Sequence, residues 1–226
     1  MENMVNIKYL ILDMGYVLVK PTSGDWLVTP VLLKNVDINE IDIKKASKIM
    51  SELGHTLDGK VETLDEEKEM MMKFYTEVFK RLEYDITKEK VTEIVDDFVY
   101  NLSDTKYTMY NDVKEQLERL SKKYTLLMLS DNWPCAYRYL EKHGIDKYFD
   151  KVYISSVYGE LKRDKVLFNH PINDYNIKAG EACFVDDKET LLDIAVEKNL
   201  EVMLMDRGNK IHNSKYKTIK CLGDID

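Results

Sequence analysis

The chain has 226 residues, a length that can bury one substantial core and a small accessory domain. Its net charge of -8 and its lack of a sustained basic stretch argue against nucleic acid as a partner, since phosphate-backbone binding depends on clustered positive charge. The longest apolar runs have strand length rather than the roughly 20 residues of a membrane helix, and the N-terminal pattern is not that of a secretory signal, so we expect a cytoplasmic protein with no membrane partner.

Five short and nearly continuous apolar runs are typical of strands that are buried on both faces of a parallel sheet. In chain order they are Lys8–Leu12, Thr125–Ser130, Val152–Ser155, Ala182–Val185 and Glu201–Met205. Helical periodicity separates the later runs, and a last edge strand is expected near Tyr216–Leu222. This alternation predicts an α/β fold with a Rossmann-like parallel sheet and helices on both faces.

Residues 20–105 lack comparable strands. They contain three charged segments of helical character, Ile38–Met50, Leu64–Leu82 and Thr87–Leu102. We interpret this stretch as an inserted α-helical cap domain, with residues 1–19 and 106–226 forming the core domain. Because ligands of open α/β sheets bind beyond the carboxyl ends of the strands, an insertion that leaves from the end of the first strand is expected to cover the site.

The three cysteines, Cys135, Cys183 and Cys221, are an odd number without CxxC spacing, which favours reduced thiols over disulfides or a zinc site. Cys183 lies in a strand-like run and is expected in the core. Cys135 precedes a predicted helix, and the pKa of a thiol can fall at a helix start.

Polar side chains stand where the predicted strands end. In chain order they are Asp13, Ser130, Asp131, Lys162, Asp186 and Asp187. Each alone is explained by a helix cap, a turn or an exposed charge, but together they fall at one edge of one predicted sheet. Carboxylates are hard oxygen ligands suited to Mg²⁺, and a metal-bound aspartate can attack phosphorus while a hydroxyl and an ammonium stabilise the transferring group.

At these positions the sequence resembles the haloacid dehalogenase-like (HAD) hydrolases with a helical cap of the C1 type. Four motifs follow the family's order: Tyr9–Leu18 (YLILDMGYVL), Leu127–Asn132 (LMLSDN), Ser156–Lys162 (SVYGELK) and Phe184–Glu189 (FVDDKE). The resemblance covers nearly the whole chain and implies a Rossmann-like core with a cap inserted between the first two motifs.

The resemblance also implies a Mg²⁺ site. Asp13 would be both the nucleophile and a metal ligand, and Gly15 would offer its backbone carbonyl. Asp187 would bind the metal directly, whereas its neighbour Asp186 would act through water.

The remaining matched residues would bind substrate. Asp13, Ser130 and Lys162 would form the catalytic set, in which the hydroxyl binds phosphate and the lysine steadies the nucleophile. The residues implied in substrate binding are Gly15, Ser130, Asp131, Asn132 and Lys162.

Three positions depart from the family pattern. Gly15 stands where most phosphatases of the family carry a second aspartate, a general acid and base worth about 10²–10⁴-fold in rate. Asp131 stands where asparagine is common, and an extra carboxylate near phosphate is repulsive unless it points away or binds metal. Arg163 replaces the usual proline, and exposure on the surface is the simplest interpretation.

The leading hypothesis is a Mg²⁺-dependent phosphatase that acts on small phosphorylated metabolites, such as sugar phosphates, through a phospho-aspartate on Asp13. One alternative is a 2-haloacid dehalogenase, and another is a catalytically impaired protein that binds a ligand or a protein partner. We expect a monomer or a homodimer. In the cap, Trp26, His55, Lys60 and Tyr75 are candidates for the pocket lining, because aromatic and cationic groups suit phosphorylated sugars.

Overall fold

The computed structural model describes residues 6–100, 106–211 and 213–226. A six-stranded parallel sheet lies at its centre, with strand order β5-β4-β1-β6-β7-β8 when strands are numbered along the chain. These strands are β1 (Tyr9–Leu12), β4 (Thr125–Ser130), β5 (Phe149–Ile154), β6 (Ala182–Asp186), β7 (Glu201–Met205) and β8 (Thr218–Ile219). The predicted sheet is confirmed, and β1 lies between the two strands that end in Ser130 and Asp186.

Alternate side chains of the strands pack on opposite faces of the sheet. Leu10 and Leu12 belong to one apolar core, and Ile11 belongs to the other. Helices α5 (Val113–Ser121) and α6 (Cys135–His143) cover the first face, whereas α8 (Asn169–Asp174) and α9 (Glu189–Glu197) cover the second. A single turn of helix, α7 (Ser155–Tyr158), follows β5. Burial on both faces explains why the strands read as nearly continuous apolar runs.

The inserted cap contains α1 (Pro30–Asn35), α2 (Ile43–Leu53), α3 (Leu64–Leu82) and α4 (Lys88–Tyr100). These helices share an apolar core of their own, centred on residues such as Met71, Phe74 and Phe98. Helix α3 has the predicted bounds because Thr63 and Glu66 form a reciprocal capping box at its start, and Glu83 ends it in the left-handed region at φ 58°.

The predicted helix over Ile38–Met50 is only partly correct. A short 3₁₀ turn occupies Ile38–Glu40, and α2 begins only at Ile43. Asp42 causes the break, since its side chain accepts the backbone N–H groups of the first helical turn and fixes the start of α2 there.

The chain leaves and re-enters the sheet domain through two paired strands that the sequence did not predict. They are β2 (Val19–Pro21) and β3 (Tyr107–Met109), which form an antiparallel pair. Three residues are too few to show strand periodicity, and Pro21 lowers the expectation further. The domain boundaries at 19/20 and 105/106 stay a prediction, and residues 101–105 lie outside the described part of the chain.

Of the helices that the structure describes, none combines the length and the apolar character needed to cross a bilayer.

Candidate active site

The carboxyl edge of the sheet carries the residues singled out in the sequence. Asp13 directly follows β1, Ser130 is the last residue of β4, and Asp186 is the last residue of β6. Lys162 begins a 3₁₀ turn after α7. Because β1 pairs with both β4 and β6, the ends of these strands lie side by side and direct their polar side chains to one place.

Asp13, Asp186 and Asp187, which we call the acidic cluster, lie close together. One carboxylate oxygen from each residue falls within 4.8 Å of the others. Asp13 and Asp186 are buried, and Asp187 is partly buried. Burial, followed by the charge of Asp13, holds the pKa of Asp187 above its ordinary value, and burial does the same for Asp186 against the opposing effect of a neighbouring lysine.

That lysine is Lys162, which is only 2% exposed. Its Nζ lies 2.9 Å from Oδ1 of Asp13 and 2.6 Å from Oδ2 of Asp186. Burial alone would lower the pKa of Lys162, but the facing carboxylates of Asp13 and Asp186 outweigh it and raise this pKa above its ordinary value. Lys162 is therefore a buried ammonium rather than a surface lysine.

The donor set of the acidic cluster fits a hard divalent cation. Three carboxylates lie together in a partly dehydrated place, with the buried ammonium of Lys162 in contact with two of them. Mg²⁺ prefers oxygen ligands of this kind and keeps water or phosphate in its remaining positions. Asp186 is fully buried and is bound to Lys162, whereas Asp13 and Asp187 line an open cavity.

The turn after β4 resolves the expected conflict over Asp131. Oδ1 of Asp131 accepts the backbone N–H of Lys162 at 2.9 Å, which ties the two loops together. The next residue, Asn132, donates its backbone N–H to Oγ of Ser155 and accepts the backbone N–H of Trp133 at its own side-chain oxygen. The extra carboxylate thus has a hydrogen-bond donor within the protein.

A cavity of about 280 Å³ opens over the acidic cluster. The predicted residues that line it are Asp13, Gly15, Ser130, Asp131, Asn132, Lys162 and Asp187. Four aromatic residues also line the cavity, and we call them the aromatic wall: Tyr16, Trp26, Tyr107 and Trp133. Only Trp26 was foreseen among these four. Lys188 and Leu27 also border the cavity.

Trp26 occupies the space next to Gly15. A Cβ atom added to Gly15 would lie 3.2 Å from Cζ2 of Trp26 and 3.7 Å from Oδ2 of Asp13. The indole packs edge-on against Tyr16 and Tyr107, with ring centroids 5.1 and 5.6 Å away. Gly15 has no side chain, and the indole of Trp26 occupies the space that a carboxyl group at position 15 would need.

The other three cap candidates do not line this cavity. Tyr75 is buried in the cap, where its hydroxyl donates to the carbonyl of Leu27 at 2.6 Å. His55 and Lys60 are exposed and have local partners, the carbonyl of Glu52 and the carboxylate of Glu62. Periodicity cannot tell which face of a cap helix is turned to the site.

The burial or exposure of three further residues bears on what the sequence predicted. Cys135 does not have a lowered pKa at the start of α6, because burial raises the pKa of its thiol to about 12. Cys183 is buried in the sheet, as predicted, and all three cysteines are free. Arg163 is exposed, as predicted, and its guanidinium pairs with Asp58 of the cap at 2.8 Å.

A family model described as haloacid dehalogenase-like hydrolase matches residues 36–205, which include the second, third and fourth motifs but begin after Asp13. The phosphoglycolate phosphatase of Vibrio parahaemolyticus is 32% identical over 114 residues, which are 50% of this chain and 49% of that protein. The match thus spans about half the length of this curated relative.

Solved structures share the whole fold at low sequence identity. YfnB from Bacillus subtilis, a HAD-hydrolase bound to magnesium, has a TM-score of 0.68 at 14% identity and covers 96% of each chain. A 2-haloacid dehalogenase from Pseudomonas syringae has a TM-score of 0.66 at 14% identity, covering 96% of this chain and 95% of its own. A HAD family enzyme from Bacteroides thetaiotaomicron, in complex with magnesium and inorganic phosphate, has a TM-score of 0.55 at 16% identity, covering 90% of this chain and 96% of its own.

These structural likenesses establish the fold, namely a parallel Rossmann-like sheet with a helical cap. The family model matches well over half of the chain. The protein therefore belongs to the haloacid dehalogenase-like hydrolase family.

Proposed function

We propose that the protein is a Mg²⁺-dependent phosphatase that hydrolyses small phosphate monoesters through a phospho-aspartate on Asp13. The observation that carries the proposal is the buried contact of 2.9 Å between Asp13 and Lys162 beside two further carboxylates at the floor of a cavity. The partial match to a phosphoglycolate phosphatase supports a phosphorylated substrate, and the neighbours that contain magnesium support the metal.

Mg²⁺ would be held by Asp13, Asp187 and the carbonyl of Gly15. Asp186 would act on the ion indirectly, without binding it. When bound, Mg²⁺ supplies neutralising charge and polarises the phosphoryl oxygens. Because Asp186 is already bound to Lys162 and is fully buried, an indirect role suits it better than direct ligation.

Lys162 would prepare Asp13 for attack. Its ammonium contacts Oδ1 of Asp13 and orients the carboxylate, leaving the other oxygen free to bond to phosphorus. As the new bond from Asp13 to phosphorus forms, the bond from phosphorus to the leaving oxygen breaks. Water then attacks the phospho-aspartate, releases inorganic phosphate and restores Asp13. Ser130 and Lys162 would stabilise charge on the phosphoryl group.

The test is release of inorganic phosphate from a panel of aryl, sugar and nucleotide monophosphates, with and without Mg²⁺. We expect Mg²⁺-dependent release that falls by at least about 10⁴-fold in Asp13→Asn, since the nucleophile is lost. Asp193→Asn is the matched control, because it makes the same change at a side chain that is 45% exposed and pairs with Lys215. Equal activity of both variants would contradict the proposal.

A second candidate is a 2-haloacid dehalogenase in which Asp13 displaces halide. Gly15 favours it, because a halide leaves as a stable anion and needs no proton from a side chain at this position. Halide release from 2-chloropropionate without Mg²⁺ would support it. If the folded protein releases neither phosphate nor halide yet binds a phosphorylated ligand with Mg²⁺, the catalytically impaired alternative holds. A cytoplasmic location and a monomeric or homodimeric state stay predictions.

A further inference from the structure

The place beside the nucleophile is occupied by an aromatic ring instead of an acid. The site of a Cβ on Gly15 lies 3.7 Å from Oδ2 of Asp13, so a side chain there would reach the reacting group. Trp26 already fills that space, with Cζ2 at 3.2 Å and Cη2 at 3.4 Å from the same point. Tyr16 and Tyr107 hold the indole from two sides.

Three other polar groups that line the cavity have competing partners or hold their protons tightly. Lys162 is engaged by Asp13 and Asp186, and Asp131 serves as an acceptor for the backbone of Lys162. Burial holds the pKa of Tyr107 well above its ordinary value, so its hydroxyl gives up a proton reluctantly. Position 15, directly beside Asp13, thus holds no acid, and Trp26 occupies the space that a side chain there would fill.

Without an acid at position 15, the leaving oxygen must depart without a proton from that position. When Asp13 attacks, the electron pair of the breaking bond stays on the leaving oxygen. An alkyl oxygen becomes a strongly basic alkoxide unless it is protonated, whereas an aryl or enol oxygen spreads the charge over a conjugated group. A general acid contributes about 10²–10⁴-fold, and alkyl esters would lose that contribution here.

We propose that Trp26 determines specificity and restricts the enzyme to phosphate monoesters whose leaving oxygen belongs to a flat, conjugated group, namely aryl and enol phosphates. The inference rests on the proposed phosphatase function. The cavity lining is a second observation in favour of this specificity. The rings of the aromatic wall can pack against a flat substrate group through edge and face contacts. Lys188 is the one ammonium besides Lys162 in the described lining of this cavity, so a second anionic group on the substrate meets little positive charge.

The experiment compares 4-nitrophenyl, phenyl and benzyl phosphate with the wild-type protein and Mg²⁺. Phenyl and benzyl phosphate both carry an aromatic ring, but only benzyl phosphate has an alkyl leaving oxygen. We expect kcat/KM to fall by at least about 10²-fold from phenyl to benzyl phosphate. Turnover of the two within about tenfold would overturn the inference, because it would mean that another group, such as Tyr16 or Lys188, donates the proton.

Variants test the role of Trp26 itself. The double variant Gly15→Asp/Trp26→Ala offers a carboxyl and the room for it, so we expect the gap between phenyl and benzyl phosphate to narrow by about tenfold or more. Trp26→Phe keeps an aromatic ring without adding an acid and is expected to retain the wild-type gap. A folded double variant with an unchanged gap would contradict the role assigned to Trp26.

The wild-type comparison needs no variant to fold, and circular dichroism with thermal unfolding checks each variant. Release from benzyl phosphate at the rate of phenyl phosphate rejects this inference alone. Release from sugar or nucleotide monophosphates but from none of these three esters also rejects this inference alone. No release from any of the phosphate esters, by a folded protein with Mg²⁺, rejects the phosphatase function and the inference with it.

Discussion

The acidic cluster and the aromatic wall face the same cavity but are held in place by different parts of the chain. The acidic cluster stands on the ends of β1 and β6, which are neighbours in the sheet and buried on both faces. The aromatic wall is assembled from the loop after β1, the start of the cap, strand β3 and the turn after β4.

The residues proposed to carry out the reaction are thus held by a different part of the chain from the residues proposed to select the substrate. The groups proposed to react are fixed by the most strongly packed part of the molecule, which suits a site that must hold charges at fixed distances. The groups proposed to choose the leaving group come from segments that pack between the sheet and the cap. Substitutions in the acidic cluster are therefore expected to change stability and turnover together, whereas those in the aromatic wall should change selectivity.

The largest effect is expected from removing the buried ammonium of Lys162. In the metal-free protein, Lys162→Met leaves the buried carboxylates of Asp13 and Asp186 without their partner. Breaking a buried ion pair in this way typically lowers the free energy of unfolding by about 3–5 kcal/mol. Urea unfolding in the presence of a chelator measures the change.

Lys165→Met is the matched control for that experiment. Lys165 pairs with Glu197, but both side chains are at least half exposed, so the same substitution should change the free energy of unfolding by less than about 1 kcal/mol. If the two variants lose similar stability, the acidic cluster is not the tightly held region described above.

The second effect concerns Mg²⁺ and pH. Burial and the charge of Asp13 keep the pKa values of Asp186 and Asp187 above their ordinary values in the folded, metal-free protein. Between about pH 4 and about pH 7 the folded state therefore binds more protons than the unfolded chain, and metal-free stability should fall as the pH rises. Mg²⁺ needs deprotonated carboxylates, so the stabilisation that it provides should grow over the same window.

Thermal and urea unfolding with and without Mg²⁺ measure this effect. At 100 times its dissociation constant, a bound ion stabilises the folded state by about 2.7 kcal/mol. We expect that gain at about pH 8, a smaller one at about pH 5, and little gain in Asp187→Asn. Asp193→Asn, altered at an exposed position, should keep the full gain. A gain that is the same in both variants would show that Mg²⁺ does not bind at the acidic cluster.

The sequence was most informative where local signals and tertiary structure agree. The strands of the central sheet were predicted from runs that are mostly apolar, and β4 and β7 have the predicted bounds. Polar residues at the ends of parallel strands meet at one edge of the sheet. The sequence alone therefore predicts that Asp13, Asp186 and Lys162 lie close together.

The aromatic wall could not be predicted in the same way. Tyr107 lies on a strand of three residues, and Trp133 lies in a turn that is directed towards the cap, where its indole N–H donates to the carbonyl of Leu57. Neither position has a periodic pattern. The packing of Trp26 against Gly15 joins residues of the first loop and the cap, so it depends on how these segments fold back over β1.

The smallest change in the free energy of unfolding is expected at Arg163, the residue after Lys162. Arg163 follows Lys162 in the chain, but its side chain is 66% exposed and pairs with Asp58, which is 42% exposed, across the junction between the sheet and the cap. Exposed ion pairs are typically worth about 0–1 kcal/mol, because water screens the charges and the long side chain loses freedom. Arg163→Ala should therefore change the free energy of unfolding by less than about 1 kcal/mol.

A double-mutant cycle with Asp58→Ala, followed by urea unfolding, isolates the pair from other contacts of either residue. A coupling energy below about 1 kcal/mol would place Arg163 among ordinary surface charges. A coupling of about 3 kcal/mol or more would contradict this, since that size belongs to buried pairs such as the one that Lys162 makes. Because the pair connects the cap to the sheet, the same variants should also be assayed for KM. An unchanged KM would show that substrate binding does not depend on this ion pair.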